Sequence, residues 1–198
     1  MNDALIRAER NVPRYTSYPT APHFSGAIGP NVYASWLAAL PSDATLSLYL
    51  HIPFCTDICL YCGCHTKAAR QHDPIERYAD RLMEEIALAA AATGRRRAVH
   101  LHWGGGTPSI LGETLIRRVM DRLATAFDLS ALREHAIELD PRRVTPALAH
   151  ALADIGVDRA SLGVQDFDPR VQKAIGRVQP FEVVEAAVRP DRAVGPRR

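Results

Sequence analysis

The 198-residue sequence has almost no lysine, no long apolar run, no block of like charge and no cysteine outside residues 55–64. Lysine stands only at Lys67 and Lys173, so nearly all of the 24 basic residues are arginine. With the abundance of alanine, this reads as coding bias before it reads as chemistry. The 22 acidic residues leave a formal charge of +2, and the longest run of one sign is Arg95, Arg96 and Arg97. A surface that tracks phosphates needs cations gathered along one face, so nucleic acid is not expected as a partner. The longest apolar stretches, such as Ile86 to Ala92, fall far short of the roughly 20 residues that span a bilayer. The N-terminus also lacks the apolar core of a signal peptide. No membrane association is expected, and the chain reads as soluble and cytoplasmic. Its hydrophobic content of 47% is too high for a disordered chain. At about 150 residues per domain, the length predicts one domain, or one and a fragment.

Residues 1–43 read as an irregular N-terminal extension. It carries Pro13, Pro19, Pro22, Pro30 and Pro41, with one short helical patch near Tyr33 to Leu40. From Thr45 onward, short apolar runs with strand character alternate with stretches of helical period. Strands are expected over 46–52, 97–103, 134–140 and 158–164. Helices are expected over 74–93, 112–127 and 146–155, the first with Asp73 as N-cap and Pro74 at its first position. Another helix should begin after Asp168, and one more covers 181–188. This alternation predicts an α/β fold of about four βα units with a parallel sheet. The last residues, 189–198, carry two prolines and four arginines and no strand pattern. The fourth parallel strand would then keep an open edge. The expectation is an unfinished fold: a truncation, a shifted reading frame or completion by another chain.

All four cysteines fall in CTDICLYCGC, directly after the first expected strand. That is the C-terminal end of a strand, where barrels and open α/β sheets place their active sites. Disulfides within so short a segment would close loops too small to stabilise much. Soft thiolates crowded into one loop suit an iron–sulfur cluster. Zinc is the alternative metal, although a structural zinc ordinarily takes two separated ligand pairs and no further cysteine exists to supply the second.

The spacing of Cys55, Cys59 and Cys62, with Tyr61 just before the last thiol, resembles the signature of the radical S-adenosylmethionine (radical SAM) enzymes. WGGGTPSIL, after the second strand, is similar to the glycine-rich segment of that family, where missing side chains let the backbone approach a ligand. RYTSYPTAPHF, LYLHIPFC and the closing CGC together resemble the oxygen-independent coproporphyrinogen III oxidases. Haem-chaperone-like relatives usually lack both the N-terminal segment and the cysteine at the position of Cys64. The resemblance covers residues 10 to about 188.

This resemblance implies a partial (β/α) radical SAM barrel over 44–188, with the last barrel strands and a C-terminal capping domain missing. It implies that Cys55, Cys59 and Cys62 hold three irons of a [4Fe–4S] cluster, with the fourth iron open to S-adenosylmethionine. Tyr49 and Tyr61 would lie beside that molecule, Gly105, Gly106 and Thr107 would contact it, and Glu138 would accept from its ribose hydroxyls. Gln165 and Arg177 match positions that in this family contact a second S-adenosylmethionine, the arginine through its carboxylate. The implied reaction is the oxidative decarboxylation of two propionates of coproporphyrinogen III to give protoporphyrinogen IX. It would begin with hydrogen abstraction by a 5′-deoxyadenosyl radical, and the cofactors would carry the hard chemistry. An electron donor of unspecified kind is implied, and a monomer is the default.

Several residues keep a plainer reading. Cys64 is unassigned, either close to substrate or structural, with a buried free thiol as the plain alternative. Asp140 and Asp166 read first as solvated side chains. His100 and His102 share one face of a strand and read as core or barrel interior rather than as ligands. His51 reads as structural. Three readings of the whole chain remain: a radical enzyme, a binding module for haem or a cluster, and an inactive remnant of a longer enzyme.

Overall fold

The computed structural model describes residues 20–189, so part of the RYTSYPTAPHF segment and the tail from residue 190 lie outside it. A short 3-10 turn at Ala21–His23 leads to helix α1 (Pro30–Ala38). Strand β1 (Leu46–Ile52) and the two-residue strands β2 (Phe54–Cys55) and β3 (Lys67–Ala68) come next. Then follow α2 (His72–Thr93), β4 (Ala98–Gly105), α3 (Gly112–Ala126), β5 (Glu134–Leu139) and α4 (Pro146–Asp154). The described chain finishes with β6 (Arg159–Leu162), α5 (Pro169–Ala174) and α6 (Phe181–Val188).

Strands β1, β4, β5 and β6 form one sheet in that order, every pair parallel. This is the α/β fold of four βα units expected from the alternation. Along β1 the side chains of Leu46, Leu48, Leu50 and Ile52 join the core, whereas Ser47 and Tyr49 are exposed. The period of two puts those sets on opposite faces. In α2 the buried residues Ile75, Ala79, Leu82 and Ile86 recur every three or four positions, and in α3 Ile116, Val119, Leu123 and Ala126 do the same, with Leu115 beside them. Both helices therefore present one apolar stripe, and together with α4 they close on Leu101, Trp103 and Ile137 to make a single core. The other face of the sheet carries Tyr49, His102, Glu138 and exposed His100. His100 thus lies outside the core, at an exposed position on the polar face.

Two local expectations are corrected, and one strand pairing is added. Helix α2 starts at His72 with Gln71 at the cap position, and no side chain caps it. Asp73 sits inside the first turn, where the positive end of the helix dipole favours a carboxylate without a cap bond. Helix α1 starts at Pro30 rather than near Tyr33, because the fixed backbone of proline suits the first helical position. The β2–β3 pairing was not expected at all. Among the described residues no helix is long and apolar enough to cross a membrane.

Candidate active site at the cysteine loop

β1 ends at Ile52, and the chain passes through Pro53 into β2, which places Cys55 at the C-terminal edge of the main sheet. The loop 56–66 returns to β3, so β2 and β3 clip its two ends together, with Lys67 N–H donating to the Pro53 carbonyl and Ala69 N–H to that of Cys55, each at 2.8 Å. The glycine-rich segment is stitched to the same clip. Gly106 N–H donates to the Ile52 carbonyl and Thr107 N–H to the Phe54 carbonyl, each at 2.8 Å. A Cβ on Gly106 would lie 2.5 Å from Thr66 Oγ1 and 2.6 Å from the Phe54 carbonyl oxygen, so only glycine fits this crossing. On the far side of the loop, Leu60 N–H donates to the Ile175 carbonyl at 2.9 Å.

The thiols are held individually. Cys55 Sγ lies 3.2 Å from Thr107 Oγ1 and 3.7 Å from Thr66 Oγ1. Cys62 N–H donates to the Cys59 carbonyl at 3.0 Å, closing a turn between those two residues. Arg177 Nη1 donates to Cys59 Sγ at 3.5 Å. All four cysteines are unpaired. Cys64 is exposed, not the buried thiol of its plainer reading. Partial burial pushes its thiol pKa up, and Cys62, Glu138 and Cys55 push it further. Partial burial likewise raises the Tyr61 hydroxyl pKa, opposed by Arg177 and reinforced by Cys59.

These groups surround a cleft of about 430 Å³. Cys55, Cys59, Cys62, Cys64 and Tyr61 line it from the loop, and Gly105, Gly106 and Thr107 from the glycine segment. Glu138, Gln165 and Arg177 line it from the ends of the later strands and the turn before α6. Tyr49 does not reach the lining; its ring stacks on His102 at 5.7 Å, and its hydroxyl meets His51 Nδ1 at 3.2 Å. Burial raises the Tyr49 pKa, with Glu138 and Cys64 adding to it. Glu138 Oε2 accepts from Gly105 N–H at 3.2 Å, and its Oε1 lies 3.5 Å from His102 Nε2. His51 Nε2 lies 2.9 Å from the His65 carbonyl, so it braces the loop, as a structural role requires. Gln165 holds a left-handed backbone with φ 68°, strain that clusters at ligand sites.

Asp140 departs from the expectation of a solvated side chain. It is 7% exposed, caps the 3-10 turn that follows β5, and pairs with Arg142 at 2.6 Å and Arg177 at 3.3 Å. Burial pushes its carboxyl pKa up, but the hydrogen bonds from Arg142 and the charge of Arg177 outweigh burial and hold it below the ordinary carboxylate value. Asp166 is half-buried and accepts the Asp168 N–H at 2.7 Å. Gly163 and Gln179 were not singled out from the sequence, because neither carries a motif; only their contacts with Arg177 mark them.

A [4Fe–4S] cluster takes one soft thiolate per iron, and Cys55, Cys59 and Cys62, lining one cleft from a single loop, supply that donor set.

Residues 49–190 match the radical SAM superfamily. The chain belongs to that superfamily. Membership implies a [4Fe–4S] cluster and S-adenosylmethionine in general terms. The chain is 50% identical over 186 residues to an oxygen-independent coproporphyrinogen III oxidase from Bradyrhizobium diazoefficiens, covering 93% of this chain and 41% of that protein. It is 40% identical over 183 residues to the protein of the same name from Escherichia coli, covering 92% and 40% respectively. The solved structure of coproporphyrinogen III oxidase from Escherichia coli superposes with a TM-score of 0.85 at 38% identity, over 98% of this chain and 43% of that one. The chain thus spans about two fifths of the length of these relatives.

Proposed function

We propose that this chain carries the cluster-binding and S-adenosylmethionine-binding part of an oxygen-independent coproporphyrinogen III oxidase. In this reading residues 44–188 are the partial barrel, residues 1–43 an extension and residues 189–198 a tail. Cys55, Cys59 and Cys62 each hold one iron of a [4Fe–4S] cluster. Tyr61 and the Gly105–Thr107 backbone border the S-adenosylmethionine, with Tyr49 behind them, and Glu138 accepts from its ribose. Gln165 and Arg177 serve a second molecule. The observation that carries the proposal is the gathering of the three thiols, the glycine crossing and Glu138 around one cleft.

When bound, the cluster and S-adenosylmethionine would supply one-electron radical chemistry for hydrogen abstraction from a propionate of coproporphyrinogen III. The residues of this chain bind and orient. The β2–β3 clip fixes Cys55 against the sheet, the Cys59–Cys62 turn sets the other two sulfurs, and Gly106 lets the backbone pass close beneath. Glu138 is oriented by the Gly105 N–H at one oxygen and by His102 Nε2, 3.5 Å away, at the other. An external one-electron donor completes the system, and the chain acts as a cytoplasmic monomer.

The test is anoxic reconstitution with iron and sulfide, then reduction with dithionite. The expected result is a brown protein that converts S-adenosylmethionine to methionine and 5′-deoxyadenosine. Alanine at Cys55, Cys59 or Cys62 should abolish this, and alanine at Cys64 should leave the iron content intact. Absence of iron in the unaltered chain overturns the proposal. Iron uptake without cleavage favours the binding-module reading, and cleavage without protoporphyrinogen formation restricts this chain to the first half of the reaction.

A further inference from the structure

α5 ends at Ala174 with Ile175 at its cap, and Gly176, at φ 66°, turns the chain so that Arg177 enters the protein beneath the cysteine loop. Its side chain is 9% exposed, and nearly every donor is directed by a protein group. Nε donates to Gln179 Oε1 at 2.9 Å and Nη2 to the Gly163 carbonyl at 2.7 Å, while Nη2 also lies 3.3 Å from Asp140 Oδ1. Gln179 is itself fully buried and locked by two hydrogen bonds with Gln172. A Cβ on Gly163 would stand 3.1 Å from Nη2, so glycine makes the room the guanidinium occupies. The remaining nitrogen, Nη1, donates to Cys59 Sγ at 3.5 Å. Three of the five N–H groups thus donate to protein acceptors and a carboxylate stands beside Nη2, which holds the guanidinium in one orientation.

The charge is not cancelled either. Asp140 also takes a forked pair from Arg142, so one carboxylate faces two guanidinium groups and the group as a whole keeps a positive charge next to Cys59. Reduction by one electron, from an external one-electron reductant, takes the [4Fe–4S] core from 2+ to 1+ and adds negative charge that spreads onto the thiolates. A buried cation and a hydrogen bond to sulfur stabilise that form more than the oxidised one.

We propose that Arg177 is a positioning residue for the cluster: the frame of Gln179, Gly163 and Asp140 aims its guanidinium at the Cys59 sulfur, and this raises the potential at which the cluster accepts its electron. The inference rests on the assignment of Cys59 as a cluster ligand and adds a role separate from any contact with S-adenosylmethionine. The experiment is a redox titration of the reconstituted 198-residue chain with dithionite and viologen mediators, followed by electron paramagnetic resonance without S-adenosylmethionine. Arg177→Met should keep its iron and make reduction at least tenfold less favourable, a midpoint about 59 mV more negative for one electron. Arg177→Lys, which keeps the charge without the fork, should recover part of the shift. A full-iron Arg177→Met protein with the unaltered midpoint overturns the proposal. Where Arg177→Met holds no iron, Arg177→Gln is read in its place by the same criterion. Loss of iron in both also overturns the proposal, because the residue would then assemble the cluster rather than tune it. An unaltered chain that takes up no iron overturns the functional reading itself.

Discussion

The indole nitrogen of Trp103 donates a 2.9 Å hydrogen bond to Nε2 of His135 across the adjacent strands β4 and β5, both side chains buried. A neutral imidazole that accepts at Nε2 carries its proton on Nδ1. That atom faces the backbone near Ile155 and Gly156 without a well-formed partner. A second proton would have to sit on Nε2, against the indole N–H, and would break the bond.

Burial pulls the His135 pKa below its ordinary value, against an upward pull from Asp158. Because the folded pKa is depressed, the stabilising contribution is complete above the unfolded value of about 6.5 and is lost as pH falls through it toward the folded value. The urea midpoint should therefore be lower at about pH 5.5 than at about pH 7.5, and His135→Gln should reduce that difference. An equal pH slope in the variant would mean that the buried imidazole is not its source.

Gly106→Ala should damage the site more than any exposed glycine change. Its new carbon meets backbone at the Phe54 carbonyl, which cannot swing aside as a flexible side chain can. Overpacking of this kind costs about 1–3 kcal/mol. The β2–β3 clip should loosen, so iron retention should fall as well. Gly26→Ala, with nothing within 4 Å, is the control and should leave both quantities unchanged. Thermal midpoints and iron content after gel filtration decide the comparison.

The parts of the molecule that were legible in the sequence are those that repeat. The alternation in β1 and the three-and-four spacing in α2 and α3 are periodic, and burial follows them directly. The cysteine loop was legible because its spacing is dense. The β2–β3 clip was not, since two-residue strands have no period to detect. Nor was the burial of Asp140, whose partners Arg142 and Arg177 sit in loops where charged residues are ordinarily solvated. The same blindness to tertiary pairing hid Gly163 and Gln179, two residues without chemistry of their own that aim a third.

That buried pairing predicts a large stability effect. Asp140→Ala would leave Arg177 enclosed without its carboxylate, and breaking a buried pair from one side costs about 3–5 kcal/mol. Asp140→Asn keeps an acceptor and should cost less. The folded Asp140 pKa is depressed, so its contribution is complete above the unfolded value of about 3.9 and disappears as pH falls through it toward the folded value. Denaturant titrations of both variants at neutral pH, repeated in acid, measure this. Equal stability of Asp140→Ala and the unaltered chain would show that Arg177 finds other compensation.

The contacts proposed for Glu138 and Tyr49 with S-adenosylmethionine can be separated by substitution. Glu138 lines the cleft and is oriented by the Gly105 N–H, whereas Tyr49 stacks on His102 outside the lining. A hydrogen bond to a charged group contributes about 1.5–3 kcal/mol, so Glu138→Gln should weaken S-adenosylmethionine binding by at least about tenfold. Tyr49→Phe removes only a hydroxyl that faces His51 and should change the affinity far less. Both variants should hold the same iron as the unaltered chain, since neither residue touches the Cys55, Cys59 or Cys62 sulfurs in the hydrogen-bond network. Equilibrium binding to the reconstituted protein distinguishes the cases. A larger loss for Tyr49→Phe than for Glu138→Gln would move the ligand off the strand ends and onto the polar face of the sheet.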